Sequence, residues 1–119
     1  MAYTTDMPAA ARRHLDAADA LVSGPRRDVA GYLYGIAAEC AIKAMMLDAG
    51  RRPSPDNRRD DPFYTHFPEL RTLLRDAQLG RKDMALRRFI DDDSFMNQWD
   101  TSMRYCKGSE IKDKWVDTW

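Results

Sequence analysis

The chain has 119 residues, 19 basic and 19 acidic, for a formal net charge of zero. That length supports one core, so residues 1–119 are read as a single domain, and the charge balance excludes a global field drawing the protein to nucleic acid or to a membrane surface. Two cysteines, Cys40 and Cys106, exclude a disulfide framework and read as buried thiols of a reducing compartment. Fourteen of the basic residues are arginine, a bias toward bidentate contacts with carboxylate or phosphate.

Thr4, Thr5 and Asp6 followed by Pro8 form a helix start, because capping side chains precede a proline that suits the first turn. The first helix is expected to run to about Ser23 with Ala11, Leu15, Ala18 and Val22 inward and Arg12, Arg13, Asp16 and Asp19 on the wet side. Ser23-Gly24-Pro25 ends it. So short a connection predicts antiparallel packing on the next helix.

That second helix, Arg27 to Ala49, is the centre of the fold. Val29, Leu33, Ile36, Cys40, Ala44 and Leu47 are its expected core stripe, with Ala30, Tyr34, Ala37, Ala41 and Met45 on the flanks. A helix apolar on nearly every side is normally buried, and this one would extend roughly 34 Å. Glu39 and Lys43 in its middle exclude a membrane span. Gly31 and Gly35 mark a close crossing or a passage beside a ligand. Gly50 closes the helix and opens a polar loop over residues 50–62 with three prolines and four arginines. Such a length without periodicity points to a mobile or functional segment.

Phe67-Pro68-Glu69-Leu70 opens a third helix, with Phe67, Leu70, Leu73, Leu74 and Ala77 inward and Gly80 as its end. A fourth is expected over about Lys82 to Ile90, with Leu86, Phe89 and Ile90 buried. Another is expected to start near Ser94, where Asp91, Asp92 and Asp93 suit a helix N-terminus. Phe95, Trp99, Met103 and Cys106 would be its stripe. Gly108 and Ser109 lead into the last, where Ile111, Trp115 and Trp119 recur at four-residue spacing and leave an aromatic end as a partner surface. No strand pattern, repeat, signal segment or membrane-length run occurs, so the expected class is all-α, an up-and-down bundle of four to five helices in the cytoplasm.

For chemistry, Glu39 and Lys43 stand four apart in the favourable order for a helical ion pair. Apolar flanks desolvate the pair, which serves either as a structural network joined by Arg104 or as a polar pocket for a phosphate or a base; Glu39, Lys43, His66, Arg104 and Tyr105 are the expected polar core or ligand pocket. His66 sits just before the third helix. His14 lies on a surface helix, so histidines supply no metal set. Trp99 reads as packing, Arg104, one step from Met103, as able to point back into the bundle, and Tyr105 as able to stack on a base, although the sequence has no interleaved basic-aromatic patch of the single-strand-binding kind. Glycine-rich phosphate loops, a CxxC pair and a hydrolase serine motif are absent, and neither metal nor cofactor is expected.

These residues together resemble a known family. GYLYGIAAECAIKAMML, with its glutamate and lysine four apart, is similar to the signature helix of HEPN domains. THFPEL, Thr65 to Leu70, and WDTSMRY, Trp99 to Tyr105, resemble the entry to the following helix and an element near the last one. The resemblance covers about Arg27 to Trp119. It implies a helical bundle that is commonly a homodimer, an association with prokaryotic toxin–antitoxin or defence systems, often beside a nucleotidyltransferase partner, and RNA or nucleotide binding. It also implies, for many members, a metal-independent ribonuclease with arginine and histidine four to six residues apart. Here no histidine follows Arg104, and only Arg59 and His66 stand at a spacing near that pattern, with Pro62 between them. The expected function is therefore a non-catalytic binding module. The alternative is a ribonuclease with His66 as general acid/base and Arg59 or Arg104 holding the phosphate.

Overall fold

The computed structural model of the protein describes residues 4–52, 62–76, 84–92 and 94–119. Among them are five α-helices and no strand: α1 (Met7–Leu21), α2 (Arg27–Asp48), α3 (Glu69–Asp76), α4 (Met84–Ile90) and α5 (Asp113–Thr118). Short 3-10 turns fill Pro62–Tyr64, Thr101–Tyr105 and Gly108–Glu110. The all-α class holds. No described helix is long and apolar enough to cross a membrane.

Asp6 caps α1 as the sequence suggests, its carboxylate accepting the Ala9 amide at 3.0 Å with proline in the first turn. The turn Val22–Arg26 folds α2 back against α1. The Arg27 guanidinium donates to the Val22 carbonyl at 3.0 Å, and the Tyr34 hydroxyl donates to Asp19 at 2.7 Å, so the two helices run antiparallel. Gly50, at φ +91°, takes the left-handed position after α2 that an L side chain would resist.

The buried face of α2 is not the expected one. Val29 is exposed and Leu33, Ile36, Cys40, Ala44 and Leu47 are only half-buried. The inward residues are Gly31, Gly35, Glu39, Ile42, Lys43 and Met46, with Ala30 and Ala37. The cause is the size of what packs there. The Trp99 indole lies on Gly35, where a methyl group would overlap the ring, and the Trp119 ring lies on Gly31. Trp99 also donates its ring N–H to the Gly31 carbonyl at 3.1 Å and stacks on Tyr32 with ring centres 5.7 Å apart. Both glycines therefore serve close approach, as expected, but of side chains rather than of another helix or a ligand.

Around this contact Ile42, Met46, Phe67, Leu70, Leu74, Leu86, Ile90, Met96 and Trp99 form one core. Phe67 meets Trp99 edge-on at 6.3 Å. α3 and α4 contribute Leu70, Leu74, Leu86 and Ile90 as predicted, whereas Leu73 is half-buried and Phe89 and, on α1, Leu15 are exposed; Ala77 and Gly80 lie outside the described residues. The helix expected from Ser94 is not formed. Residues 94–98 turn instead, with Met96 at φ +53° and Gln98 at φ +70°, which breaks the α-helical path and delivers Trp99 flat onto α2. Asp92 starts this turn by accepting the Ser94 amide at 3.0 Å and the Ser94 hydroxyl at 2.7 Å. The Asp92 carboxyl is held below its usual range by those bonds.

At the end of the chain α5 is tied to the start of α2 by Arg27, which donates to Asp113 at 3.2 Å and also to Asp117. The Arg27 pKa is raised by those partners, Asp117 first. Trp115 and Trp119 are half-buried, not an open aromatic end: Trp119 packs on α2 and donates its ring N–H to the Asn97 carbonyl at 3.0 Å, and the Lys112 ammonium lies over Trp115. The partner surface expected at these tryptophans is thus largely used inside the molecule.

Candidate functional site

The polar group in the core is built around Glu39. Glu39 shares the buried face of α2 with Gly31 and Gly35 at four-residue spacing, and its side chain is 4% exposed. One oxygen, Oε1, accepts the Phe67 amide at 2.8 Å; the other, Oε2, accepts from Nδ1 of His66 at 2.8 Å. The Phe67 amide is an N–H at a helix entry that the helix itself does not satisfy, and the Leu70 amide just inside donates to the His66 carbonyl at 2.8 Å. A carboxylate suits that position, since the helix dipole presents partial positive charge there.

His66 is held through one nitrogen and open through the rest of the ring, its side chain 52% exposed. A carboxylate only accepts hydrogen bonds, so Nδ1 carries a proton; in the neutral ring this leaves Nε2 as an acceptor. An outward imidazole oriented by a buried carboxylate can exchange a proton with, or hydrogen-bond to, a bound group.

Lys43 is buried one turn further along α2. The expected joining of Arg104 to Glu39 and Lys43 is corrected: Arg104 does not reach them. Arg104 stands exposed on the 3-10 turn Thr101–Tyr105, donating from Nε to the Thr101 carbonyl at 3.3 Å, its guanidinium 5.3 Å from the centre of the Tyr105 ring. Tyr105 is 82% exposed. The turn is fixed by Asp100, which accepts the Ser102 amide at 2.9 Å. His66 and Arg104 thus belong to different elements, one anchored in the core and one displayed at the surface. Arg59 lies outside the described residues. Burial pushes the Cys40 thiol up, with Lys43 acting in the opposite direction.

Among the described residues no three His, Cys, Asp or Glu side chains come together as a metal set. An open concavity of about 730 Å³ lies between the α1–α2 turn and the end of the chain, lined by Arg26, Arg27, Asp28, Lys112 and Asp113. Its arginines face carboxylates, Arg26 with Asp28 at 3.5 Å and Arg27 with Asp113, so it presents no concentrated positive charge. A second, apolar groove of about 490 Å³ runs beside α1. Sequence periodicity missed it, because Leu15 and Phe89, its exposed rims, carry the signature of core positions. Ala37, Ala38 and Ala41, small residues clustered on one side of α2, were the available signal.

No family model matches the chain, and neither a curated protein nor a solved structure matches it.

Proposed function

We propose that the chain is a HEPN-like helical module that binds a nucleotide, an RNA segment or a partner protein without cleaving it, in a toxin–antitoxin or defence setting with a nucleotidyltransferase as a prospective partner. The observation that carries this reading is the Arg104–Tyr105 pair. A guanidinium poised over an exposed ring offers a flat face and a positive charge together, the combination that stacks a base beside its phosphate. Among the described residues, Arg104 is held from its own turn by the Thr101 carbonyl, and Tyr105 is 82% exposed. That suits binding better than catalysis, which requires placement to about 0.5 Å.

Fluorescence anisotropy with a labelled single-stranded RNA of about ten nucleotides tests it. Tyr105→Ala removes a stacking face worth about 1–3 kcal/mol, so affinity falls roughly tenfold or more. Unchanged affinity in both Tyr105→Ala and Arg104→Ala would sink the reading for nucleic acid.

A second reading, a metal-independent ribonuclease, is favoured by one feature, the His66 imidazole oriented by buried Glu39. General acid–base catalysis contributes about 10²–10⁴-fold. Cleavage of RNA in the presence of a chelator, lost to that extent in His66→Ala, would replace the binding module with an enzyme.

A further inference from the structure

The binding face at Arg104 and Tyr105 makes no use of the pair formed by His66 and Glu39. Among the described residues the His66 ring makes one hydrogen bond, from Nδ1 to Oε2 of Glu39 at 2.8 Å. The carboxylate is fixed in turn, because its other oxygen accepts the buried Phe67 amide at 2.8 Å. With Nδ1 donating, the neutral ring keeps its lone pair on Nε2. The carboxylate side chain is 4% exposed and the imidazole 52%, so a charge fixed in the core presents a nucleophilic nitrogen at the surface. His14 supplies the comparison within the same chain. Its Nδ1 meets the Ala10 carbonyl at 2.7 Å, which sets the same tautomer, but through a neutral oxygen.

That difference bears on one kind of reaction. When Nε2 forms a bond to an electrophile the ring becomes a cation, and a carboxylate already placed on Nδ1–H stabilises the charge as it develops. Acyl groups on imidazole are lost quickly to water and alkyl groups are permanent, whereas a phosphoryl group on nitrogen persists and stays transferable. We propose that Nε2 of His66 is a phosphoryl acceptor, charged by a small acyl phosphate, with Glu39 as the residue that positions the ring. In the transfer the Nε2 lone pair forms the N–P bond while the P–O bond to the acyl oxygen breaks, and its electron pair leaves with the carboxylate product. Nδ1 keeps its hydrogen, and Glu39 balances the positive ring. The phosphoryl group can be handed on, since the ring then departs from phosphorus as a neutral imidazole. This role is separate from base stacking and from the ribonuclease reading, in which the imidazole exchanges protons and forms no bond to phosphorus.

Incubation of the full chain with acetyl phosphate tests the proposal. Peptide mass spectrometry at alkaline pH, where phosphorus–nitrogen bonds survive, locates the adduct, and phosphorus NMR distinguishes the two ring nitrogens. One phosphoryl group is expected, at Nε2 of His66, retained in His14→Ala and absent in His66→Ala. In Glu39→Gln the side-chain oxygen stays with the Phe67 amide and the NH2 group faces Nδ1, which drives the ring proton to Nε2. The His66 rate then falls roughly tenfold or more, while the rate at His14 in the same molecule is unchanged. Nitrogen NMR of the neutral ring reads the tautomer directly and does not depend on stability. No adduct on His66, an adduct at its Nδ1, or equal rates at His66 and His14 in the folded chain overturns the proposal. So does an undiminished rate in Glu39→Gln, and so, with no variant required, does a wild-type His66 ring protonated at Nε2 alone.

Discussion

Replacing Gly35 by alanine tests the contact that decides the fold. The added methyl would occupy the space of the Trp99 indole, whose residue is 1% exposed and has no room to retreat. Forcing a methyl into a filled core costs about 1–3 kcal/mol. Displacing the ring also breaks the bond from its N–H to the Gly31 carbonyl, and leaving those buried groups unpaired costs about 1–3 kcal/mol more. Against this, alanine is better than glycine inside a helix by about 1 kcal/mol. The net expectation is a loss of about 3 kcal/mol, a large share of the 5–15 kcal/mol typical of a domain, and a melting temperature roughly 12 °C lower. Urea denaturation followed by circular dichroism measures the loss, and the near-ultraviolet spectrum reports the Tyr32–Trp99 stack directly. Gly24→Ala is the control: its nearest neighbour would be the Leu21 carbonyl oxygen at an ordinary 3.6 Å, and the expected change is within about 0.5 kcal/mol. A Gly35→Ala protein as stable as wild type with an unchanged near-ultraviolet spectrum would refute the packing described.

Three further outcomes are expected. Glu39→Ala removes the acceptor of the Phe67 amide and of His66, costing about 2–4 kcal/mol, while Glu39→Gln, which keeps one carbonyl oxygen for the amide, costs less; chemical denaturation ranks them. Iodoacetamide at neutral pH labels exposed Cys106 before Cys40, and Cys40 labelling rises as pH passes above the ordinary thiol range, because burial has raised its pKa; peptide mass spectrometry reads both. The depressed Asp92 carboxyl contributes stability that is present above its unfolded pKa and lost as pH falls through the folded value. Ser94→Ala should therefore move the Asp92 titration, followed by NMR, upward and narrow the difference from wild type in acid.

The residues of the candidate site, Glu39 and His66 among them, were visible in the sequence, but the bonds that join them were not. Glu39 stands out as a charge in an apolar helix, and spacing along one helix naturally suggests Lys43 as its mate. Its hydrogen-bond partners come from 27 and 28 residues away, at the entry to α3. Arg104 and Tyr105 were likewise singled out, yet the sequence does not show that Arg104 lies exposed on a 3-10 turn, bonded to the Thr101 carbonyl.

What the sequence by itself determined is local: the all-α class, the Asp6 cap, the antiparallel α1–α2 pair, the end of α2 at Gly50, and the inward leucines of α3 and α4. Each follows from hydrogen bonds or periodicity within a few residues, which a single helix must satisfy alone. Tertiary structure decided which face of α2 is buried. Periodicity counts apolar side chains, and α2 has them on every side, so the count could not choose. The choice fell to fit: two tryptophans need the flat sites that only Gly31 and Gly35 provide, and the Phe67 amide needs the Glu39 carboxylate. Satisfying those buried polar groups and filling that volume turned the small and charged stripe inward. Leu15 and Phe89 were left at the rims of an open groove, because no element among the described residues is placed to cover them.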